Sequence, residues 1–406
     1  MRHIVEIEKL DHQGRGISKI NGKVIFIPNA YIGETVEVEV IKETKKYMEG
    51  KVTKYIKTSN NRINYNCPYY HQCGGCNIAH INYEKQLEFK KNTVIDIFKR
   101  YANIDINPNI CESEDKFHYR NKVVFHIENN KMGFYKDETN LLVPIDSCLL
   151  LNQKLNDVIE TLTKKLDISE LKEILLRTNG EEVLVKITSD NKLLNTNMVF
   201  KDKEDKSGEK ATRYLKENSI VFNLGDYKYA VTSDSFFQVN TKQAIRLYDK
   251  VREYVGFEKL ETALDLYCGT GTIAIYISDL CNRVIGVEVN KSSITCANYN
   301  KFLNKIDNVE FIEGDVSTVI NNKMNPDLIV VDPPRSGLDD KTISIIKEIK
   351  PEKIIYVSCN PMTLARDIQK LSEEYEFNDI ELFDMFPNTY HVECISLLYL
   401  RNNYRR

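Results

Sequence analysis

The chain has no long hydrophobic run: nowhere do its 406 residues approach the roughly 18 consecutive apolar positions that a membrane-spanning helix needs. Its opening residues, Met1-Arg2-His3-Ile4-Val5-Glu6, lack the apolar core of a signal peptide, so a cytoplasmic protein is expected. No internal repeat is present, which excludes solenoid and fibrous architectures. Nor does one sign of charge dominate, since 56 Lys and Arg stand against 59 Asp and Glu, a net charge of −3. That balance hides an asymmetry. Residues 1–101 hold 17 basic and 11 acidic residues, a balance of +6, and the remainder carries −9. A basic amino-terminal quarter suits a polyanionic partner, with scattered solvated charge as the plain alternative.

What is present describes a folded protein: 42% hydrophobic and 28% charged residues, enough for two or three domains with real cores. Ten cysteines in a reducing compartment point to chemistry or metal rather than disulfides. Residues 1–58 read as short alternating strands, at Ile4–Leu10, Val24–Ile27, Thr35–Val40 and Lys51–Thr53, with Gly14, Gly16, Gly22 and Gly33 at the breaks. This is the pattern of a small antiparallel barrel. The runs Gln13-Gly14-Arg15-Gly16-Ile17 and Asn29-Ala30-Tyr31-Ile32-Gly33-Glu34 resemble the TRAM domain, an RNA-binding barrel.

Residues 83–101 are helical in period, with Leu87, Val94, Phe98 and Tyr101 on one stripe and Lys90, Lys91, Lys99 and Arg100 elsewhere. Hairpin signals follow at Asn129-Asn130 and Asn179-Gly180. The polar stretch 200–218 reads as an exposed loop. Beyond Phe236, continuous apolar runs at 263–266, 284–287, 328–331 and 354–357 alternate with helical segments, the signature of a parallel sheet covered on both faces. The last 170 residues therefore read as doubly wound α/β.

Leu264-Asp265-Leu266-Tyr267-Cys268-Gly269-Thr270-Gly271-Thr272 sets a glycine-rich turn after the first of these strands, and Glu288 ends the next, where a carboxylate can accept the hydroxyls of a ribose. With Ala274 in the third place, spacing alone keeps NAD open. Asp315 and Asp332 follow the next two strands, and such a series of acids favours a ligand rich in hydroxyl and amino donors, the profile of S-adenosylmethionine. Asp315 alone reads equally well as a helix cap. Cys359, in Ser358-Cys359-Asn360-Pro361, stands at the carboxyl end of a strand, where sites in doubly wound sheets form. A thiolate there suits uracil, whose carbon 5 becomes nucleophilic once a thiolate adds to carbon 6; a separate base must then remove the carbon-5 proton. His391 and Glu393 are both candidates.

Asp265–Gly271, Asp332-Pro333-Pro334-Arg335, the block Ser358–Asp367 and Met385–Glu393 together resemble the RNA uracil-5-methyltransferase family, from the TRAM-like start to the last strand. The resemblance implies Cys359 as nucleophile and Glu393 as proton-abstracting base. It implies Gln238, Tyr267, Glu288, Asp315 and Asp332 as contacts to S-adenosylmethionine, with Gln238 and Asp332 also near the target base. Thr272 stands where some members have Asn. A flipped-out uridine would lie against an aromatic such as Phe236.

Cys67, Cys73 and Cys76 form a compact group with Cys148 far downstream. Structural zinc usually takes two close pairs, whereas iron-sulfur clusters accept three local ligands and one remote. Members of the family that carry a [4Fe-4S] cluster use this spacing, so the resemblance implies a structural cluster, with His71 and His80 as bystanders. The expectation is a Rossmann-like class I methyltransferase domain at 236–406, preceded by a TRAM (OB-like) β-barrel at 1–58 and a β-rich iron-sulfur domain at 59–235. The helix at 83–101 would pack on the catalytic domain. The substrate expected is 23S rRNA and the protein a monomer without membrane partners. A tRNA T-loop enzyme, a base amino-methyltransferase and a non-enzymatic RNA-binding scaffold are the competing readings.

Overall fold

The computed structural model describes residues 2–136, 139–165, 167–204, 210–215 and 218–404. It divides into two compact units: Met1–Thr93 with Met132–Ile145 and Phe386–His391, and Val94–Lys131 with Asp146–Met385 and Val392–Arg406. Among the described residues no helix is long and apolar enough to cross a membrane.

The first unit opens with six strands, Arg2–Glu6, Lys9–Leu10, Gly16–Ile20, Lys23–Ile27, Thr35–Glu43 and Tyr47–Lys57. Alternate residues Ile25, Ile27, Val36 and Val38 are fully buried in its core, as the period-2 pattern requires. One pair departs from the antiparallel expectation, since Lys23–Ile27 runs parallel to Tyr47–Lys57. Glu34 is fully buried and takes a two-pronged ion pair from Arg62, at 2.5 and 2.6 Å, which ties the strands to the loop that follows.

The helix Tyr83–Tyr101 forms as expected, but its buried stripe differs. Gln86, Lys90, Val94 and Phe98, four apart, are the inward residues, while Tyr101 is half exposed. Lys90, assigned to the polar side from its charge, is fully buried and donates to the Phe386 carbonyl at 3.0 Å. Gln86 accepts from the Asn388 amide at 2.9 Å. Periodicity marks which residues share a face; it does not announce that backbone carbonyls will meet a buried ammonium.

In the second unit, Lys122–Glu128, Leu171–Thr178, Glu182–Ser189, Thr196–Glu204 and Lys210–Leu215 form antiparallel ladders in that order. Asn129 and Asn130 are both left-handed, as a type I′ turn demands. The loop expected over 200–218 is corrected: 201–204 and 210–215 are paired strand, and 205–209 and 216–217 lie outside the described residues. Ladder pairing there carries no apolar alternation to read.

The largest sheet of the second unit contains β1 (Leu260–Leu266), β2 (Cys281–Glu288), β3 (Val309–Glu313), β4 (Leu328–Val331), β5 (Lys353–Ser358), β6 (Tyr375–Phe383) and β7 (Glu393–Leu400). Their order is 3-2-1-4-5-7-6, with Asn109–Cys111 added parallel to β6 at the edge. β1 to β5 are parallel and β7 runs antiparallel between β5 and β6. Strands covered on both faces must be apolar throughout, and Leu328–Val331 is buried at every position. Val94 and Phe98 belong to the same apolar core as Leu266, Ile329 and Tyr356.

Candidate active site

The order 3-2-1-4-5-7-6 reverses between β1 and β4, so a cleft opens at their carboxyl ends. After β1, Tyr267 turns left-handed (φ 64°), and Gly269 and Gly271 do likewise before the helix Thr272–Tyr276. Gly271 cannot be replaced freely: besides its φ of 77°, a Cβ would sit 2.4 Å from the Phe311 ring. Asp265 is fully buried, accepts the Ala274 amide at 2.8 Å through Oδ2, and leaves Oδ1 without a partner. Burial lifts its carboxyl to about 8, helped by the charges of Asp332 and Glu288.

Glu288 spans the turn, accepting from the Gly269 amide at 3.2 Å and the Asn290 amide at 2.8 Å. Asp315 does cap a helix, accepting from the Ser317 amide at 2.9 Å, yet it remains exposed at the end of β3. Asp332 follows β4, its amide bonded to the Leu266 carbonyl at 3.3 Å. Gln238 is buried, and its carbonyl accepts from Asn121 at 3.0 Å. A row of acceptors at three successive strand ends, with an unpartnered buried carboxylate oxygen behind them, fits a ligand bearing hydroxyl and amino donors.

Ser358-Cys359-Asn360-Pro361 is a strand-to-helix corner with a local cause. Asn360 caps the helix Pro361–Leu371 through the Met362 amide, and Pro361 occupies a first-turn position that has no need of an N–H. Cys359 is left between the last strand residue and the cap, half-buried. Burial and then the Glu393 charge raise its thiol to about 11, and Arg335 opposes both with its charge and a hydrogen bond. Glu393, the first residue of β7, is 3% exposed. Its carboxyl is driven well up by burial and then by Asp332, with Arg335 again opposing; burial also raises Asp332. The structure therefore brings Cys359, Glu393 and Asp332 together, with the Arg335 guanidinium acting on the first two.

Two members of this group were not read from sequence. Arg335 entered only as the last residue of the block Asp332-Pro333-Pro334-Arg335, with no role of its own; its signal was a cation four residues past the end of β4. Tyr248, deeply buried in the helix Thr241–Val255, has its phenol raised by burial and by Asp332, Glu393 and Asp265, with a hydrogen bond from Gln238. A tyrosine on an apolar helix stripe gives no such signal. His391, the rival base, lies in the first unit against the rings of Tyr390 and Phe386.

The four cluster cysteines fare differently. Cys67, Cys73 and Cys76 occupy a turn-rich loop of the first unit, where the Cys73 amide bonds to the Tyr69 carbonyl at 2.7 Å, and Cys148 belongs to the second unit. Among the described residues no three His, Cys, Asp or Glu side chains are gathered to hold a metal ion.

Sheet order, glycine turn and the acids at the strand ends define a Rossmann-like methyltransferase domain. The family model for tRNA (Uracil-5-)-methyltransferase matches residues 157–401, and that for the TRAM domain residues 4–53. An RNA methyltransferase of Aquifex aeolicus is 37% identical over 420 residues, 98% of each chain. One from Clostridium tetani is 36% identical over 430 residues, 95% of this chain and 94% of that one. The crystal structure of Pyrococcus abyssi tRNA (uracil-54, C5)-methyltransferase in complex with S-adenosyl-L-homocysteine superposes with a TM-score of 0.78 at 28% identity, covering 98% of this chain and 99% of that one. The chain belongs to the tRNA (uracil-5-)-methyltransferase family and is an RNA (uracil-5-)-methyltransferase with an amino-terminal TRAM domain.

Proposed function

We propose that the protein methylates carbon 5 of a uridine in 23S rRNA through a covalent adduct between Cys359 and carbon 6 of the base. The observation that carries this reading is the meeting of Cys359, Glu393, Asp332 and Arg335 at the carboxyl end of the sheet. S-adenosylmethionine would be held by Gln238, Tyr267, Glu288, Asp315 and Asp332, and when bound it supplies an electrophilic methyl group. The Cys359 thiolate adds to carbon 6, and the ring double bond shifts its electrons toward the carbon-4 carbonyl. Carbon 5 takes the methyl group from the sulfonium. Glu393 then removes the carbon-5 proton, and the carbon-sulfur bond to Cys359 breaks as the ring double bond returns. A carboxyl made more basic by burial suits that task, and Arg335 offsets the burial that disfavours the thiolate. Phe236, 67% exposed two residues before Gln238, offers a stacking face for the flipped base.

The ribosomal assignment rests on the TRAM domain and the cysteine spacing, which resemble large-subunit enzymes. A second reading, a tRNA T-loop uridine, is favoured by the Pyrococcus abyssi structure. Mapping 5-methyluridine in the rRNA and tRNA of a deletion strain decides between them: loss from 23S rRNA alone supports the first, loss from tRNA the second.

The three-part division at 1–58, 59–235 and 236–406, a monomeric state and a cytoplasmic location belong to the same proposal. So does a structural [4Fe-4S] cluster on Cys67, Cys73, Cys76 and Cys148, which rests on spacing and resemblance and not on the side-chain arrangement. Iron and sulfide assays on anaerobically purified protein test it; stoichiometric zinc without sulfide contradicts it.

A further inference from the structure

In the second unit, the ladder between Lys122–Glu128 and Leu171–Thr178 sets Lys122 directly opposite Arg177. The next ladder sets Lys186 opposite Leu175, two residues from Arg177, so Lys122, Arg177 and Lys186 share one face of the sheet. Arg120 adjoins them, its Nε donating to the Lys122 carbonyl at 3.0 Å. Like charges so placed destabilise a sheet unless something answers them.

Among the described residues little does. Asp234 pairs with Lys186 and is itself exposed. Among the described residues Lys122 has no ion-pair partner. Arg177 is fully buried, and of its donors only one Nη is satisfied, by the Ser235 carbonyl at 2.8 Å; Nε and the other Nη have no acceptor. Burial lowers Lys122 to about 8, with Arg177, Arg120 and Lys186 adding to the fall and Asp234 opposing it, and lowers Arg177 to about 10, again against the pull of Asp234. Asp234 answers Lys186 directly, at 2.5 Å, and leaves Arg120, Lys122 and Arg177 with no carboxylate in contact among the described residues. An anionic group against Arg120 and Lys122 would answer that charge.

The place of this cluster names the anion. Ser235, which holds Arg177, immediately precedes the exposed Phe236, and Gln238 follows two residues later. The cations therefore border the segment on which the flipped base is expected to rest. We propose that Arg120, Lys122, Arg177 and Lys186 form a phosphodiester-binding site that grips the RNA backbone beside the target uridine. Resting on the RNA-methylating reading, the site fixes strand position without reading sequence, because phosphates are the same at every nucleotide. Arg177, fully buried opposite Lys122, adds its charge to the site from behind, while the partly exposed Arg120, Lys122 and Lys186 can meet the phosphate oxygens.

Opposite-sign variants test it, using fluorescence anisotropy of a 5′-labelled oligouridylate with the full chain between about 50 and 200 mM salt. Lys122→Met should weaken binding roughly fivefold and reduce the slope of log affinity against log salt by about 0.7, the loss of one phosphate contact to a single strand. Asp234→Asn should tighten binding, which a merely damaged fold would not do. Affinity for S-adenosylhomocysteine, measured by calorimetry, should stay unchanged in both. An unchanged salt slope in Lys122→Met, with or without lost affinity, overturns the phosphate site, as does weaker binding by Asp234→Asn. A wild-type protein that bound no RNA and methylated none would instead overturn the RNA-methylating reading on which the site rests.

Discussion

Replacing Glu393 by Gln separates the two halves of the proposed reaction. Glu393 is 3% exposed at the start of a central strand, and Gln has its shape, so packing should survive. The exchange removes two things at once. It deletes the charge that, after burial, contributes most to raising the Cys359 thiol, so attack on carbon 6 should not slow. It also deletes the base for the carbon-5 proton, a contribution of about 10²- to 10⁴-fold, or about 3 to 5 kcal/mol of barrier. The variant should therefore accumulate a covalent protein–RNA complex on natural uridine RNA with S-adenosylmethionine, and release 5-methyluridine at least about a hundredfold more slowly than the wild type. A denaturing-gel time course beside nucleoside analysis reads both quantities. Wild-type turnover would exclude Glu393 as the base, and failure to form any complex would place it in the addition step instead.

Further outcomes follow from the same geometry. Alkylation of Cys359, followed by peptide mass spectrometry, should accelerate about tenfold per pH unit from neutrality toward pH 10, because a thiol raised to about 11 gains thiolate throughout that range. Arg335→Gln should slow alkylation at every pH and move the curve upward, since the opposing cation is gone; an unchanged profile would remove Arg335 from the site's electrostatics. Gly337→Ala should cost about 2 kcal/mol or more, read as a lower denaturant midpoint. Its φ is 75°, and a Cβ would meet Asp367 Oδ2 at 2.5 Å and an Arg366 Nη at 2.6 Å. Gly180→Ala, also left-handed but with open space around it, should cost clearly less.

Those two neighbours of Gly337 show why the site is more than its motifs. Asp367 accepts the Leu338 amide at 2.8 Å and the Tyr356 hydroxyl at 2.7 Å, and Arg366 holds the carbonyls of Ser336 and Leu338. Asn360 holds the Arg335 carbonyl at 2.9 Å. The loop that carries Asp332 and Arg335 is thus fastened to the helix that begins beside Cys359. In sequence, the blocks 332–335 and 358–367 are separate signals; the structure joins them.

The parallel sheet was legible because strands buried on both faces must be continuously apolar, and Cys359 because a strand end, an Asn cap and a Pro fall in immediate succession. Lys90 and Arg177 were not, since a fully buried cation depends on carbonyls or ligands supplied from far along the chain. The strands at 201–204 and 210–215 were missed because neither Lys201-Asp202-Lys203-Glu204 nor Lys210-Ala211-Thr212-Arg213-Tyr214-Leu215 alternates apolar with polar residues. Arg335 was visible as a letter, but its reach to both Cys359 and Glu393 depends on how β4, β5 and β7 are ordered in the sheet.

In the proposed reaction Cys359 becomes covalently bonded to the base that is methylated. Incubating the protein with 5-fluorouridine-substituted RNA and S-adenosylmethionine, then digesting and sequencing the linked peptide, tests it most directly. Fluorine blocks the final proton removal, so a stable complex carrying the methylated base on Cys359 is expected, absent in Cys359→Ala, which should also lose methyl transfer. A complex mapped to another residue, or methylation retained by Cys359→Ala, would contradict it.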